Sequence, residues 1–185
     1  VFIKAATLND DTHRFYTKWL HDMKAEQLAD GGIPLVIPNV LRAGDFESGT
    51  VEMAECFAAW GDAVTICPWQ LYQTYGDTEI LADMYDAMNM WLRYIAGHSG
   101  TPCLWTGSTQ FGDWLALDAP EGSYKGSSRD DLIASAYYAR SVELTIQTGR
   151  VLGKDVRHLE QLYAQIRAAV QKTFPQLITQ TEHVL

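Results

Sequence analysis

Residues 77–97 read DTEILADMYDAMNMWLRYIAG and carry the clearest helical pattern in this 185-residue chain. Apolar side chains recur there at spacings of three and four, which places them on one face of an α-helix. That stripe consists of Ile80, Met84, Met88, Trp91 and Ile95. Asp77 or Thr78 is suited to cap the start of the helix. The segment therefore predicts an amphipathic helix whose apolar face packs against other helices.

Four further segments show the helical period, and they cover residues 9–30, 60–75, 127–152 and 156–174. Pro68 lies inside the second segment, so that helix either begins near Pro68 or is kinked there. The residues suited to cap helix starts are Asp10, Asp11 or Thr12 in the first segment and Ser127 or Ser128 in the third. Almost no strand pattern is present, so the sequence predicts an all-α fold.

The connections between these segments differ in length. Short breaks at Gly76-Asp77 and Gly153-Lys154 predict antiparallel helical hairpins. The connection over residues 97–127 is long, polar and aromatic, as functional loops often are. A tetratricopeptide array is disfavoured because no repeat of about 34 residues is visible. We therefore expect a toroid of hairpins with its site at the end that carries the long loops.

Charge and composition disfavour several classes of binding partner and cofactor. The formal net charge is −9, which disfavours binding to nucleic acid or to an anionic membrane. No apolar run approaches the roughly 20 residues of a membrane helix, and no signal peptide is visible. No CxxC pair, histidine pair, Walker loop or GxGxxG motif is present, so neither a metal nor another cofactor is expected.

Three cysteines, Cys56, Cys67 and Cys103, bear on the compartment. Their odd number and wide spacing favour free thiols in a reducing environment, while a single disulfide stays open as an alternative. A cytoplasmic location in a bacterium is therefore expected in preference to secretion.

Two clusters combine an aromatic residue, a glycine and an aspartate, namely Trp60-Gly-Asp62 and Phe111-Gly-Asp-Trp114. An indole can stack on the apolar face of a sugar while a neighbouring carboxylate binds its hydroxyls. The simpler interpretations are that Asp62 caps a helix and that the second cluster is a loop anchored by two aromatic rings. Because both clusters lie at junctions between hairpins, together they favour a sugar site.

Six short motifs occur in order along the chain: Asp30-Gly-Gly-Ile-Pro34, Ile37-Pro38-Asn39, Trp60-Gly-Asp-Ala63, Pro68-Trp69 with Leu71-Tyr72, Phe111-Gly-Asp-Trp-Leu115 and Leu132-Ile-Ala-Ser-Ala-Tyr137. Over essentially its whole length the chain resembles the catalytic domain of bacterial α-L-rhamnosidases, glycoside hydrolase family 78. The resemblance implies an (α/α)6 barrel, or six-hairpin fold. It also implies inverting hydrolysis of terminal α-L-rhamnose from rhamnose-containing glycosides or polysaccharides.

The resemblance also implies roles for individual residues. Asp62 resembles the family's rhamnose-binding carboxylate, and Trp60 and Trp114 resemble the aromatic walls of the sugar subsite. Asp113 and Trp69 follow as neighbours that hold the pocket in shape. These five residues are the substrate-binding residues that the sequence predicts.

Catalytic residues are not assigned within the chain. The family's general acid lies in a motif like Asp-Cys-Pro-Gln-Arg-Asp-Glu, which is absent here, and its general base is a Glu expected downstream. We therefore expect residues 1–185 to form a single partial domain, the middle section of the barrel, inactive alone. Its exposed apolar stripes would be covered by remaining segments of the same barrel or by self-association.

Two other functions remain open from the sequence. The first is a different carbohydrate-active enzyme on the same (α/α)6 toroid, with the aromatic–acid clusters serving another sugar. The second is a non-enzymatic helical scaffold that binds a protein. The scaffold predicts that Trp60, Asp62, Asp113 and Trp114 are dispersed or buried in the core, whereas a sugar site predicts that they converge.

Overall fold

A computed structural model of the chain describes residues 2–40 and 56–175, and these residues contain six α-helices. The helices are α1 (Ile3–Asn9), α2 (His13–Glu26), α3 (Ala63–Tyr75), α4 (Thr78–Gly97), α5 (Asp130–Val151) and α6 (Arg157–Thr173). The one β feature of the described residues is an isolated antiparallel bridge between Trp114 and Lys125. The predicted all-α class is confirmed.

The helices pack in the order in which they occur in the chain. Each of α2 to α6 packs against its neighbour in sequence, α3 also contacts α5, and α1 lies on α3. Gly76 ends α3 in the left-handed conformation at φ 69°, which lets the chain turn directly into α4. Helices α3 and α4 form one hairpin and α5 and α6 form the next, as the short connections predicted.

The core is centred on α4, which contacts α2, α3 and α5. All five members of its predicted apolar stripe are at most 2% exposed. Trp91 is fully buried, with its ring stacked on Tyr94 and edge-on to Trp105. Burying a large apolar side chain stabilises a fold by about 1.5–3 kcal/mol, so each member of this stripe contributes substantially to stability.

The first predicted helix was too long, and a shorter helix before it was not predicted. Helix α2 ends at Glu26 instead of near Asp30, because Gln27 leaves the helix with ψ at 131°. The Gln27 side-chain amide then donates to the carbonyls of Gly31 and Ala87, which ties the chain to α4. Helix α1 has only seven residues and buries only Ile3 and Thr7, so its apolar period is too short to detect.

Helix α3 includes Pro68 and continues on both sides of it. Of the two possibilities that the sequence left open, a start near Pro68 is wrong. The turn of helix before the proline is held by packing, because Val64, Thr65 and Cys67 are all buried. That burial compensates for the backbone hydrogen bond that a proline cannot donate.

The predicted helix caps had mixed outcomes. Asp77 caps α4 by accepting a hydrogen bond from the Ile80 N–H at 3.0 Å, as expected. The predicted cap of α5 by Ser127 or Ser128 is wrong, because Arg129 occupies the cap position without a side-chain bond. The two serine hydroxyls instead donate to carboxylates of the preceding loop.

Membrane helices, metal-binding clusters and disulfides are all absent from the described part of the chain. No helix in residues 2–40 and 56–175 is long and apolar enough to cross a membrane. The same residues contain no group of three or more His, Cys, Asp or Glu side chains that could hold a metal ion. No disulfide joins the three cysteines, all of which lie in these two ranges.

Candidate functional site

The turn before α3 directs its aromatic and its acidic residue in opposite directions. Trp60 is 36% exposed, whereas Asp62, two residues later, has no exposed surface. Gly61 between them lies against the indole of Trp91, and a Cβ on Gly61 would be 2.3 Å from Trp91 Cη2. The Trp-Gly-Asp motif therefore presents its indole at the surface and its carboxylate to the core.

Three hydrogen bonds hold the Asp62 carboxylate. Oδ1 accepts from Trp91 Nε1 at 2.9 Å and from Ser141 Oγ at 2.5 Å, and Oδ2 accepts from the Ala59 N–H at 2.8 Å. Burial raises the pKa of Asp62, against the opposing effect of these three bonds. Asp62 makes no side-chain cap bond to α3, so the helix-cap interpretation is wrong. The structure also places the carboxylate in the core and not on the surface where a sugar hydroxyl could contact it.

The second cluster lies in the long loop between α4 and α5. Gly112 turns the chain at φ 64°, in close contact with the Asp130 carboxylate. Trp114 is 40% exposed, and its backbone bridges to Lys125 across the loop. Asp113 is half-buried, and its Oδ2 accepts a hydrogen bond from Ser128 Oγ at 2.9 Å. This cluster is therefore a braced loop that presents an indole and a partly accessible carboxylate.

Phe111 joins the two clusters. Its ring centroid is 4.7 Å from that of Trp60 and 5.1 Å from that of Trp114. Beyond Trp114, the ring of Tyr124 follows at 5.4 Å. We call the four residues Trp60, Phe111, Trp114 and Tyr124 the aromatic face. The exposed tryptophans thus converge, as a sugar site predicts, whereas Asp62 is buried in the core, as the scaffold interpretation predicts.

A buried amide fixes the approach of the two segments. Gln110 is only 4% exposed, and its Oε1 accepts a hydrogen bond from the Ala58 N–H at 2.8 Å. Behind Phe111, the buried ring of Phe57 is stacked on it at 4.2 Å. Neither Gln110 nor Phe57 was predicted as a site residue. Gln110 lies next to the second cluster, but nothing local in the sequence distinguishes it from an ordinary loop amide.

Trp69 is placed differently from the other predicted residues. It lies half-buried on α3, and its ring contacts that of Tyr72 at a centroid distance of 5.2 Å. Among the described ring contacts, none joins Trp69 to the aromatic face. Trp69 therefore packs within the helical layer that supports the site.

A cavity of about 400 Å³ adjoins Trp60. Residues that line it include Trp19 and Met23 of α2, and Ile33, Pro34 and Ile37 from the segment that follows. Two of the motifs on which the family resemblance depends, at residues 30–34 and 37–39, therefore meet the Trp60 motif at one place. The cavity extends the accessible surface around Trp60 on the side of α2.

Comparison with known proteins gives consistent matches. A family described as the bacterial alpha-L-rhamnosidase six-hairpin glycosidase domain matches residues 1–183. The α-L-rhamnosidase of Formosa agariphila is 34% identical over 177 residues, which cover 94% of this chain and 18% of that protein. Across the curated relatives, the chain spans 15–18% of their length.

Solved structures agree with these matches. The crystal structure of Streptomyces avermitilis α-L-rhamnosidase complexed with L-rhamnose matches with a TM-score of 0.77 and 34% identity, covering 94% of this chain and 15% of that one. The Aspergillus terreus α-L-rhamnosidase matches with a TM-score of 0.76 and 27% identity, covering 92% of this chain and 20% of that one. The chain belongs to the six-hairpin glycosidase domain family of bacterial α-L-rhamnosidases, and it corresponds to a part of the longer proteins in that family.

Proposed function

We propose that the protein containing this chain hydrolyses terminal α-L-rhamnosides with inversion, and that this chain supplies part of the sugar-binding wall. The observation that carries the proposal is the aromatic face, in which Phe111 brings Trp60 and Trp114 together. A further support is that the matching crystal structure of the Streptomyces avermitilis enzyme is of its complex with L-rhamnose. The substrate class is a rhamnose-containing glycoside or polysaccharide.

In this proposal the exposed indoles do the stacking. Trp60 and Trp114 contact the apolar faces of the rhamnose ring and its methyl group, where aromatic surface is most favourable. Asp113 accepts hydrogen bonds from sugar hydroxyls with the part of its carboxylate that Ser128 leaves accessible. Trp69 supports the wall from within α3 and does not touch the sugar.

The reaction itself requires groups beyond this wall. An inverting glycosidase needs one carboxylic acid and one carboxylate about 6.5–9.5 Å apart, on opposite sides of the scissile bond. We assign both roles to remaining segments of the same barrel, which are the partners of this chain in the proposal. The aromatic face then holds the rhamnose while those segments supply acid and base.

Sugar binding by tryptophan variants tests the proposal in the full-length protein. Calorimetry with L-rhamnose, D-glucose and D-mannose is carried out on the wild type, Trp60→Ala and Trp114→Ala. We expect the wild type to prefer L-rhamnose, and each variant to bind it about tenfold more weakly, because about 1.4 kcal/mol of stacking is lost.

Tyr163→Ala is the matched control, because Tyr163 is a half-buried aromatic residue on α6, away from the aromatic face. Its L-rhamnose affinity should equal that of the wild type. Preference for glucose or mannose would favour another carbohydrate-active enzyme on the same fold. Unchanged affinity in both tryptophan variants would show that this face is not the sugar site.

A further inference from the structure

The Asp62 carboxylate is a buried acidic group whose three described hydrogen bonds all go to the protein scaffold. Trp91 of α4 and Ser141 of α5 both donate to Oδ1. Ser141 Oγ also lies 2.8 Å from Thr65 Oγ1 on α3. One carboxylate oxygen thereby ties the three central helices together, since leaving a buried acceptor unpaired is unfavourable.

The other carboxylate oxygen controls the turn that carries Trp60. Oδ2 accepts the Ala59 N–H at 2.8 Å. Ala59 has a φ of 69°, in the left-handed region that is unfavourable for a residue with a side chain. The hydrogen bond to the Asp62 carboxyl compensates for that strain. Since Ala59 directly precedes Trp60, its backbone angles determine where the Trp60 indole lies.

Gly61 fixes the backbone on the C-terminal side of Trp60. Its backbone N–H donates to the Phe57 carbonyl at 2.9 Å, and its α-carbon lies against the ring of Trp91. The backbone on both sides of Trp60 is thus fixed, through Ala59 by Asp62 and through Gly61 by Trp91. Trp91 is in turn oriented by its own hydrogen bond to Asp62.

We infer that Asp62 is a positioning residue for rhamnose binding, which acts by locking the backbone around Trp60 and does not touch the sugar. This inference rests on the proposed function, since it assumes that Trp60 stacks on rhamnose. A preset indole loses little conformational freedom on binding, so preorganisation of this kind appears directly as affinity. The role differs from the direct sugar contact that the sequence resemblance implies for Asp62.

Asp62→Asn in the full-length protein tests the inference, with Asp86→Asn as the matched control. Asp86 is an exposed carboxylate on α4. The asparagine keeps the shape of the side chain but replaces one acceptor oxygen with a donor, so it cannot serve all three donors. We expect amide hydrogen exchange at Ala59 to quicken by at least about tenfold and L-rhamnose affinity to fall about tenfold, while Asp86→Asn changes neither.

A double-mutant cycle separates positioning from direct contact. If Asp62 acts only through Trp60, Asp62→Asn should cause no further loss of L-rhamnose affinity in a Trp60→Ala background. Additive losses would show that Asp62 contacts the sugar itself and would overturn the inference. Ser141→Ala removes one bond to Oδ1 but leaves the Ala59 bond, so it should lower stability without changing Ala59 exchange or L-rhamnose affinity.

Two outcomes keep the inference and the proposed function distinguishable. Absence of L-rhamnose binding by the wild type would overturn the proposed function, whatever the exchange rates. Normal wild-type binding with unchanged Ala59 exchange in Asp62→Asn would overturn the positioning role alone. If Asp62→Asn does not fold, amide hydrogen exchange in the wild type tests the inference instead. An Ala59 N–H that exchanges as fast as an exposed amide is incompatible with the Asp62 bond and would overturn the positioning role.

Discussion

Gly61 packs directly against the buried indole of Trp91. A Cβ there would lie 2.3 Å from Trp91 Cη2 and 2.6 Å from Cζ2, and Trp91 is too deeply buried to move aside. We therefore predict that Gly61→Ala lowers the free energy of unfolding by about 1–3 kcal/mol, as overpacking of a core does. Urea denaturation of the purified variant measures the change.

Gly97→Ala is the control for that substitution. Gly97 ends α4, and a Cβ added there would have no neighbouring atom within 4 Å, so alanine should be neutral or stabilising by up to about 1 kcal/mol. If both glycine variants lost the same stability, contact with Trp91 would not be the reason that residue 61 is glycine.

A substitution at Ala59 should change stability in the opposite direction, because the alanine side chain makes the backbone conformation there unfavourable. We predict that Ala59→Gly raises the free energy of unfolding by about 0.5 kcal/mol. Relief of the left-handed conformation at φ 69° contributes about 1–2 kcal/mol, and the added freedom of the unfolded chain removes about 0.4–1 of it. The same substitution at Ala82, exposed within α4, should cost about 1 kcal/mol when measured in the same way.

The sequence singles out the two aromatic–acid clusters, but it does not indicate the direction in which each side chain points. Trp60 and Asp62 lie in a turn, where neither the helical nor the strand period indicates which side chain is buried. The direction of Asp62 depends on Trp91 and Ser141, which are 29 and 79 residues away from it in sequence. Convergence of the two clusters depends likewise on Ala58 and Gln110, whose hydrogen bond spans 52 residues.

At the scale of helices, a helix was predicted correctly where the apolar period of its sequence matches the way it packs in the fold. Helix α4 contacts three other helices, so its long apolar stripe is visible in the sequence. Helix α5 begins later than predicted, because Ser127 and Ser128 donate to Asp118 and Asp113 in the site loop instead of capping the helix. Serines in such a sequence suit both a cap and a loop anchor, and only the tertiary structure determines which they form.

The start of α4 is linked to the start of α2 by a hydrogen bond between the side chains of Asp77 and His13. Asp77 caps α4 and its Oδ2 lies 2.7 Å from His13 Nε2. Burial alone would raise the pKa of Asp77, but the bonds from the Ile80 N–H and from His13 outweigh it and lower the pKa below 3.8. Since the pKa is depressed in the folded state, Asp77 adds stability above its unfolded pKa and loses it as pH falls through the folded value.

Replacing Asp77 with alanine should therefore destabilise the fold in a pH-dependent way. We predict a loss of about 1 kcal/mol in the free energy of unfolding near neutral pH, typical of a lost helix cap. The difference from the wild type should be smaller at roughly pH 3 than at neutral pH, because the stability that Asp77 adds starts to be lost below its unfolded pKa of roughly 4 and is gone only below the lower folded pKa. Denaturation at both pH values measures this, with Asp86→Asn as a neutral control; a difference that stays constant with pH would contradict the assigned charge state.

At the scale of the whole molecule, the described helices form an open series and not a closed ring. Helix α4 lies in the middle, whereas α2 and α6, at the two ends, share no comparable packing in the described part of the chain. Large apolar side chains are exposed on and before the first helices, among them Phe2, Leu8 and Phe15. We propose that other protein segments cover this exposed apolar surface.

The isolated 185-residue chain should therefore self-associate. We predict that sedimentation velocity shows dimers or larger species whose proportion rises with concentration, because association removes exposed apolar surface from water. The full-length protein is the control, since in our proposal its remaining barrel segments cover the same surface. A concentration-independent monomer of the isolated chain would show that its apolar faces are not interfaces.

The isolated chain should also fail to hydrolyse an aryl α-L-rhamnoside, at a rate above that of buffer, under conditions where the full-length protein turns it over. Loss of L-rhamnose binding would not be the cause, since the aromatic face lies within the chain; calorimetry with free L-rhamnose checks this. Turnover comparable to that of the full-length protein would show instead that this chain contains its own acid and base.

The reason lies in the carboxyl groups near the aromatic face. A general acid must hold its proton near neutral pH, which requires a raised pKa and access to the leaving oxygen. Asp62 has a raised pKa but no exposed surface. Asp118 is accessible, but hydrogen bonds from the Ser127 hydroxyl and amide lower its pKa. Asp131 has its pKa lowered by Arg129. None of these three aspartates combines a raised pKa with access to the sugar, which is why we propose that the acid comes from other segments of the barrel.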